Sequence, residues 1–267
     1  MSAGINRLIG PRIKVERAKE HALQLQSEIE AFLDRKPYQL IVESEPKSGD
    51  KIYRVKVSEQ PPVRWGTIIG DVVHNLRTAL DYLAYQLVVA NNYTPHKYTY
   101  FPICDSKKKF EADGLKKVKD ASPKAKHLIE SVKPYQGGNT ALWRIHRLDI
   151  QDKHHLLFTV GSALKNVIMK VTFSGDMALG REEIKFPPYI LNPADRLYPL
   201  EDGMEVFRFK GSDLVVASNE VMEEFDPNFD VAFGAGQVVQ GELVMPTVLQ
   251  LIKATEDVLD VFSLHNY

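Results

Sequence analysis

A chain of 267 residues, 44% of them hydrophobic and 26% charged, is long enough to bury its own core without disulfide or metal staples. Its 34 basic and 35 acidic residues leave a formal charge of -1, which excludes a global field that would draw nucleic acid or an anionic membrane. The single cysteine, Cys104, excludes an intramolecular disulfide and a multi-cysteine zinc site, and it points to a reducing, cytoplasmic setting. The first residues reach Pro11 and Arg12 without a continuous apolar stretch. The longest near-apolar run, Leu80 to Ala90, is broken by Asp81 and Gln86 and falls short of the ~20 residues a spanning helix needs, so neither a secretion signal nor a membrane anchor is expected.

In chain order, Ile13 to Arg35 places Ala22, Leu25, Ile29 and Phe32 at helical spacing and predicts an amphipathic helix that stops near Pro37. Tyr38 to Glu45 and Lys51 to Glu59 alternate around the turn formers of 46–50 and read as a hairpin. After Pro61 and Pro62 comes the longest helical pattern, Val63 to about Val89, with Trp65, Ile69, Val72, Leu76, Leu80, Leu83 and Leu87 on a core stripe. Residues 91–123 read as irregular and locally basic, eight lysines falling between Lys107 and Lys126 among only Glu111, Asp113 and Asp120. A short helix, Pro123 to Val132, precedes the punctuation of Pro134, Gly137 and Gly138. Asn139 or Thr140 can then cap a helix running from Ala141 to about Thr159.

Beyond that helix the period changes to two: NVIMKVTFSG, EEIKFPPYI, GMEVFRFKG and the stretch around Phe229 to Phe233 read as strands, with Gly234, Gly236 and Gly241 as bulges or turns. A final helix is expected from about Pro246 to Leu264. An isolated hairpin is marginal in water, so the early one is expected to join the later strands. The fold class that follows is α+β, a helical layer with two long polar-bearing helices packed on or beside a mainly antiparallel sheet. It is read as a single domain over 1–267, the alternative being a mainly helical part with the hairpin (1–162) followed by a sheet with the terminal helix (163–267).

The polar residues of interest lie on the two long helices. At 100° per residue His74, Arg77 and Asp81 share one narrow stripe, with Asp71 and Thr78 beside it, on the side away from Trp65, Leu76 and Leu83. A solvated face with an Arg and Asp pair four residues apart, worth only ~0.3 to 0.5 kcal/mol, accounts for that ridge. The second helix is less easily dismissed, because Asp149 and Asp152 align with Leu142, Ile145, Leu148 and Leu156. Trp143, Ile150 and Leu157 line another side, leaving Arg144, Arg147 and Gln151 toward water. A carboxylate in an apolar stripe costs several kcal/mol unless it is paired. The two helices are therefore expected to pack with His74 and Arg77 facing Asp149 and Asp152, in a network that serves either structure or chemistry.

Three functions fit these residues. Arg147 and His154, seven positions apart, project within about 20° of each other, and an arginine that holds phosphate beside a histidine that moves a proton suits phosphodiester cleavage by a 2′-hydroxyl. The spacing resembles the arginine-to-histidine motif of HEPN-type ribonucleases. That resemblance implies metal-independent RNA cleavage by a helical, usually dimeric protein, which makes RNA and a second copy the partners to consider. It covers one helix, and Leu148 stands where those enzymes commonly place a polar residue. A metal-dependent hydrolase drawing on His74, Asp81, Asp149, Asp152, His154 and His155 is the second reading, but no HExxH signature occurs and the two adjacent histidines point about 100° apart. The third is a binding or assembly module without catalysis. In an enzyme, His154 or His74 carries the proton, Arg77 and Arg147 hold an anion, and Asp149 and Asp152 orient them.

No GxGxxG, P-loop or GxSxG is present, and no cofactor is expected. Apolar neighbours make Cys104 read as a buried, inert thiol. His96, His127 and His265 read as isolated surface or packing residues, and Tyr98, Tyr100, Phe101 and Tyr135 as core.

Taken together, GDVVHNLRTALDYLAYQL at Gly70 to Leu87, FPI at Phe101, KPYQ at Lys133 to Gln136 and LWRIHRLDIQDKHHLL at Leu142 to Leu157 resemble a group of uncharacterised bacterial proteins. In that group a helix reading HNLRxALD is followed by FPI, QPY and a helix ending in DKH. The likeness spans about residues 60 to 160. It brings no activity with it, but it implies that His74, Asn75, Arg77, Asp81, Asp152, Lys153 and His154 form one constellation. The group often has arginine after DKH, where this chain has His155.

Overall fold

The computed structural model describes residues 7–264 apart from 155–157, 159, 178–179, 186–188, 192–198 and 211–219. The first helix, α1, covers Ile9–Asp34 and so starts earlier than its apolar period suggests, because Pro11 sits in the first turn, where a missing N–H leaves nothing unsatisfied. It stops where Lys36 takes a left-handed backbone (φ 54°) ahead of Pro37. Strands β1 (Tyr38–Ser44) and β2 (Lys51–Val57) form the expected hairpin, in register from Tyr38 opposite Val57 to Ser44 opposite Lys51.

Helix α2 spans Trp65–Ala90, and its predicted stripe from Trp65 to Leu87 is buried throughout. The lysine-rich stretch is more ordered than its composition suggests. The Ser106 hydroxyl accepts from Lys109 N (3.2 Å) and starts α3, Lys107–Asp113, and a 3-10 segment follows at Gly114–Val118. Phe110 and Val118, both buried, anchor this region and leave Lys107, Lys108, Lys109 and Lys116 exposed, with Lys117 half-buried. Helix α4 (Pro123–Ser131) begins on a Ser122 cap, and α5 (Thr140–His154) on Asn139, whose side-chain oxygen accepts from Leu142 N at 3.2 Å. Of the part expected beyond His154, residues 155–157 and 159 lie outside the described residues, and Phe158 is not helical.

Strands β3 (Val160–Met177), β4 (Gly180–Lys185), β5 (Tyr189–Leu191), β6 (Glu205–Phe209) and β7 (Glu220–Phe233) follow, and the chain ends in α6, Val244–Leu264. Long β3 pairs along one edge with β7, and along the other with β4 and β5. The hairpin does recruit a later strand: β2 pairs with β6, Lys51 opposite Phe209, and Tyr53 stacks on Phe207 with ring centroids 4.4 Å apart. All of these strand pairings are antiparallel, and the fold is α+β.

The residues gather into two compact units, each discontinuous in sequence. One comprises Met1–Ser27, Val63–Thr159 and Gly236–Tyr267; the other comprises Glu28–Pro62 and Val160–Ala235. The first is helical, its core built from α2, from Leu142, Ile145 and Leu148 of α5, and from Val248, Leu251 and Phe262 of α6. The second holds the sheets, with Val55, Ala163, Leu164, Val231 and Phe233 buried. Among the described residues no helix is long and apolar enough to cross a membrane.

Candidate functional site

The polar residues singled out from sequence lie on α2 and α5, which pack against each other in the helical unit. Two glycines one turn apart make the approach close. A Cβ on Gly66 would collide with the backbone carbonyl of Phe158, and one on Gly70 with the carboxylate of Asp152, so the end of α5 and the chain just beyond it lie directly on this face of α2. Sequence reasoning passed over this pair, although G-x-x-x-G at Gly66 to Gly70 is a readable signal for close backbone approach.

One turn beyond Gly70, His74 meets Asp149. The Nδ1 of His74 lies 3.2 Å from Oδ1 of Asp149, and Lys153 Nζ donates to Oδ2 of the same carboxylate at 2.7 Å. Burial is sharply unequal: the Asp149 side chain is 5% exposed and that of His74 51%. A carboxylate only accepts, so this contact places the imidazole proton on Nδ1. The other ring nitrogen has no partner among the described residues. Asp152, seated against Gly70, has its carboxyl pushed above the usual range by burial first, and then by the carboxylates of Asp149 and Asp71.

The other half of the ridge behaves differently from the expectation. Arg77 is buried (5% exposed) rather than part of a solvated face, and among the described residues it makes no hydrogen bond or ion pair with Asp149 or Asp152. Its NH2 donates to Asp81 Oδ1 (2.7 Å) and to the Phe101 carbonyl (3.0 Å), and Phe101 N donates back to Asp81 Oδ1 (2.9 Å). The reason is the FPI loop, whose Phe101 is fully buried and which closes over this stretch of α2. Burial lifts the Asp81 carboxyl above its usual range despite the opposing Arg77 charge.

Two further groups stand beside this lock, and sequence reasoning missed both. His146, one turn before Asp149 on α5, has a buried Nδ1 with no hydrogen-bond partner among the described residues, and its pKa is lowered to about 4, by burial first and then by the charges of Arg77 and Lys117. Lys117, on the 3-10 segment, is depressed from its usual value by burial, and its amine lies 4.8 Å from the centre of the Tyr100 ring. His146 was visible as a helical neighbour of Asp149. Lys117 was hidden among eight lysines of similar surroundings.

The remaining candidates are less gathered. Arg147 contributes its charge on the side of Asp105, a carboxyl held low chiefly by the Lys109 amine, and is not joined to His74. His154 is the last residue of α5 and its side chain lies outside the described residues, as does the whole of His155, so the Arg147 and His154 pairing falls outside them as well. Arg144 and Gln151 do not simply face water: Arg144 forms a two-pronged pair with Glu242 (2.6 and 3.1 Å), and Gln151 donates to the Gly236 carbonyl (3.0 Å). Among the described residues no group of three or more His, Cys, Asp or Glu is placed to hold a metal ion. Cys104 is partly exposed rather than sealed, although burial still raises its thiol pKa. Phe101 and Tyr135 are core, whereas Tyr98 is exposed beneath the Lys97 amine, because the turn that His96 makes through its Nδ1 carries the ring outward.

Comparison with protein-family models, with curated proteins and with solved structures gives no match, so the chemistry of the site has to be argued from its own residues.

Proposed function

We propose that the face formed by α2 and α5 is an acid–base centre that cleaves phosphodiesters, with RNA as its substrate class. The observation that carries this reading is the half-exposed His74 held at Nδ1 by a buried carboxylate, which leaves Nε2 as the nitrogen that exchanges protons with a substrate. In the step envisaged, His74 Nε2 takes the proton of a ribose 2′-hydroxyl and the freed oxygen attacks phosphorus. A 2′,3′-cyclic phosphate forms, and the departing 5′-oxygen takes its proton from Asp152. The raised pKa of that carboxyl suits it to the donor role. Asp149 orients the imidazole, and Lys153 balances the Asp149 charge. This is the ribonuclease chemistry suggested by the HEPN resemblance, moved from Arg147 and His154 to His74 and Asp152. The lone thiol supports a cytoplasmic home for it.

A structural reading is favoured for the other half of the ridge alone, where Arg77, Asp81 and Phe101 satisfy one another in a closed set. Incubation with mixed RNA, with and without chelator, tests the catalytic reading. Cutting is expected, slowed at least ~100-fold in His74→Gln with melting unchanged. An uncut RNA pool, or His74→Gln cutting at the parental rate, contradicts it. Loss of cutting in Arg147→Ala with His74→Gln still active would return the centre to Arg147 and His154.

A further inference from the structure

Beside the His74 pair, nitrogen-bearing side chains from three different elements stand close enough for their charges to act on one another. Arg77 comes from α2, Lys117 from the 3-10 segment packed on α2, and His146 from α5. Arg77 uses one guanidinium nitrogen for both of its bonds, and the other, NH1, is buried with no partner among the described residues. The Nδ1 of His146 is buried and likewise has no partner among the described residues. Among the described residues the amine of Lys117 has the Tyr100 ring for company and no carboxylate at hydrogen-bond distance. The acids nearby are already engaged: Asp81 by Arg77 and Phe101, Asp105 by Lys109 and Trp143, Asp149 by His74 and Lys153.

Buried donors are normally satisfied, and two cations with an unpartnered imidazole against one shared carboxylate leave positive charge and donor capacity in excess. The chemistry that satisfies all three is an oxyanion with several acceptor atoms. Arg77 supplies a fixed N–H, Lys117 a mobile point charge, and His146 a ring that can accept a proton as the anion arrives. Lys117 and His146 are each part-exposed, so an anion can reach them from solvent, whereas Arg77 is buried.

We infer that Arg77, Lys117 and His146 form an oxyanion-binding site that takes a phosphate group. The choice of phosphate over other oxyanions rests on the ester-cleaving reading of His74, one helical turn away; the excess of donors does not. Occupancy is expected to draw a proton onto His146, because a bound anion offsets the burial and the Arg77 and Lys117 charges that now keep the ring neutral; Asp149 and Asp105 favour the charged form with or without it.

Calorimetric titration of the whole chain with inorganic phosphate at pH 7 and constant ionic strength tests this, with histidine NMR as the second readout. Saturable binding is expected, weakened tenfold or more in Lys117→Met and in His146→Gln and retained in His74→Gln, and the His146 ring resonances should move toward the protonated position as phosphate is added. Lys117→Met removes a part-exposed amine, so a folding failure is not expected to mask the result; its melting is measured alongside. Absence of binding, or equal binding in wild type, Lys117→Met and His146→Gln, overturns the site. The two readings fail separately: phosphate binding without RNA cutting removes the catalytic reading, and RNA cutting without phosphate binding removes this one.

Discussion

His146 is an imidazole kept neutral by burial in a positive neighbourhood, and this gives it a pH signature. Its pKa in the folded chain is about 4, against 6.5 for the ordinary group. Between these values the unfolded chain binds a proton that the folded chain refuses. Stability is therefore complete above about pH 6.5 and declines as the pH falls toward 4, by about 2 kcal/mol once the partial exposure of the ring is discounted. Asp81 and Asp152 act with the opposite sign. Their raised values favour the folded form at low pH, an advantage lost as pH rises from 3.8 through the raised values. Melting temperatures of wild type and His146→Gln between pH 7 and 4.5 separate the effects: the variant is expected to lose most of the acid decline, and parallel curves would contradict the assignment. Asp149 could be read as a buried acid needing a cation because its leucine and isoleucine neighbours announce the apolar stripe. The Arg77 pair with Asp81, four residues on, was also legible on the helical wheel, but the burial of Arg77 was not, since its other partner is a carbonyl 24 positions on, in a loop that no helical wheel represents.

At the scale of elements, α2 meets α5 through side chains of very different tolerance. At Gly66 a methyl group meets the backbone carbonyl of Phe158, which cannot rotate aside, so Gly66→Ala should destabilise by about 1–3 kcal/mol in urea unfolding. At Gly70 the obstacle is the Asp152 carboxylate, which can turn away. Gly70→Ala is therefore expected to leave unfolding nearly unchanged while slowing RNA cutting through displacement of the proton donor. Equal stability losses in the two variants would contradict this division. The Arg77 lock predicts a larger cost: Arg77→Met strands the part-buried Asp81 and empties a buried site, for about 2–4 kcal/mol, and a loss below 1 kcal/mol would show the lock to be ornamental. Helix positions were legible in the sequence because apolar period and caps agree, as at Ser122 and Asn139. The order within the lysine-rich stretch was not, since two buried anchors, Phe110 and Val118, outweigh a run of exposed charge that dominates the composition.

For the whole molecule, the class α+β followed from the change of period after α5, and the partnership of the hairpin with a later strand followed from the marginal stability of a two-stranded ribbon. The particular pairing of β2 with β6 did not, because it joins residues about 150 positions apart and no local pattern encodes the partner. The interleaving of the two units has the same origin: the sheet unit takes its residues from two separated stretches, and the helical unit from three. The candidate site, by contrast, lies within the helical unit and brings together two helices that each carry half of a recognisable pattern, with 75 positions between His74 and Asp149. Everything proposed for catalysis depends on that junction holding the imidazole proton on Nδ1. Long-range nitrogen–proton correlation NMR of the neutral His74 ring reads it directly: the proton is expected on Nδ1 in the wild type, with that preference lost in Asp149→Leu, whereas a wild-type ring protonated on Nε2, or one indifferent to the loss of Asp149, would contradict it.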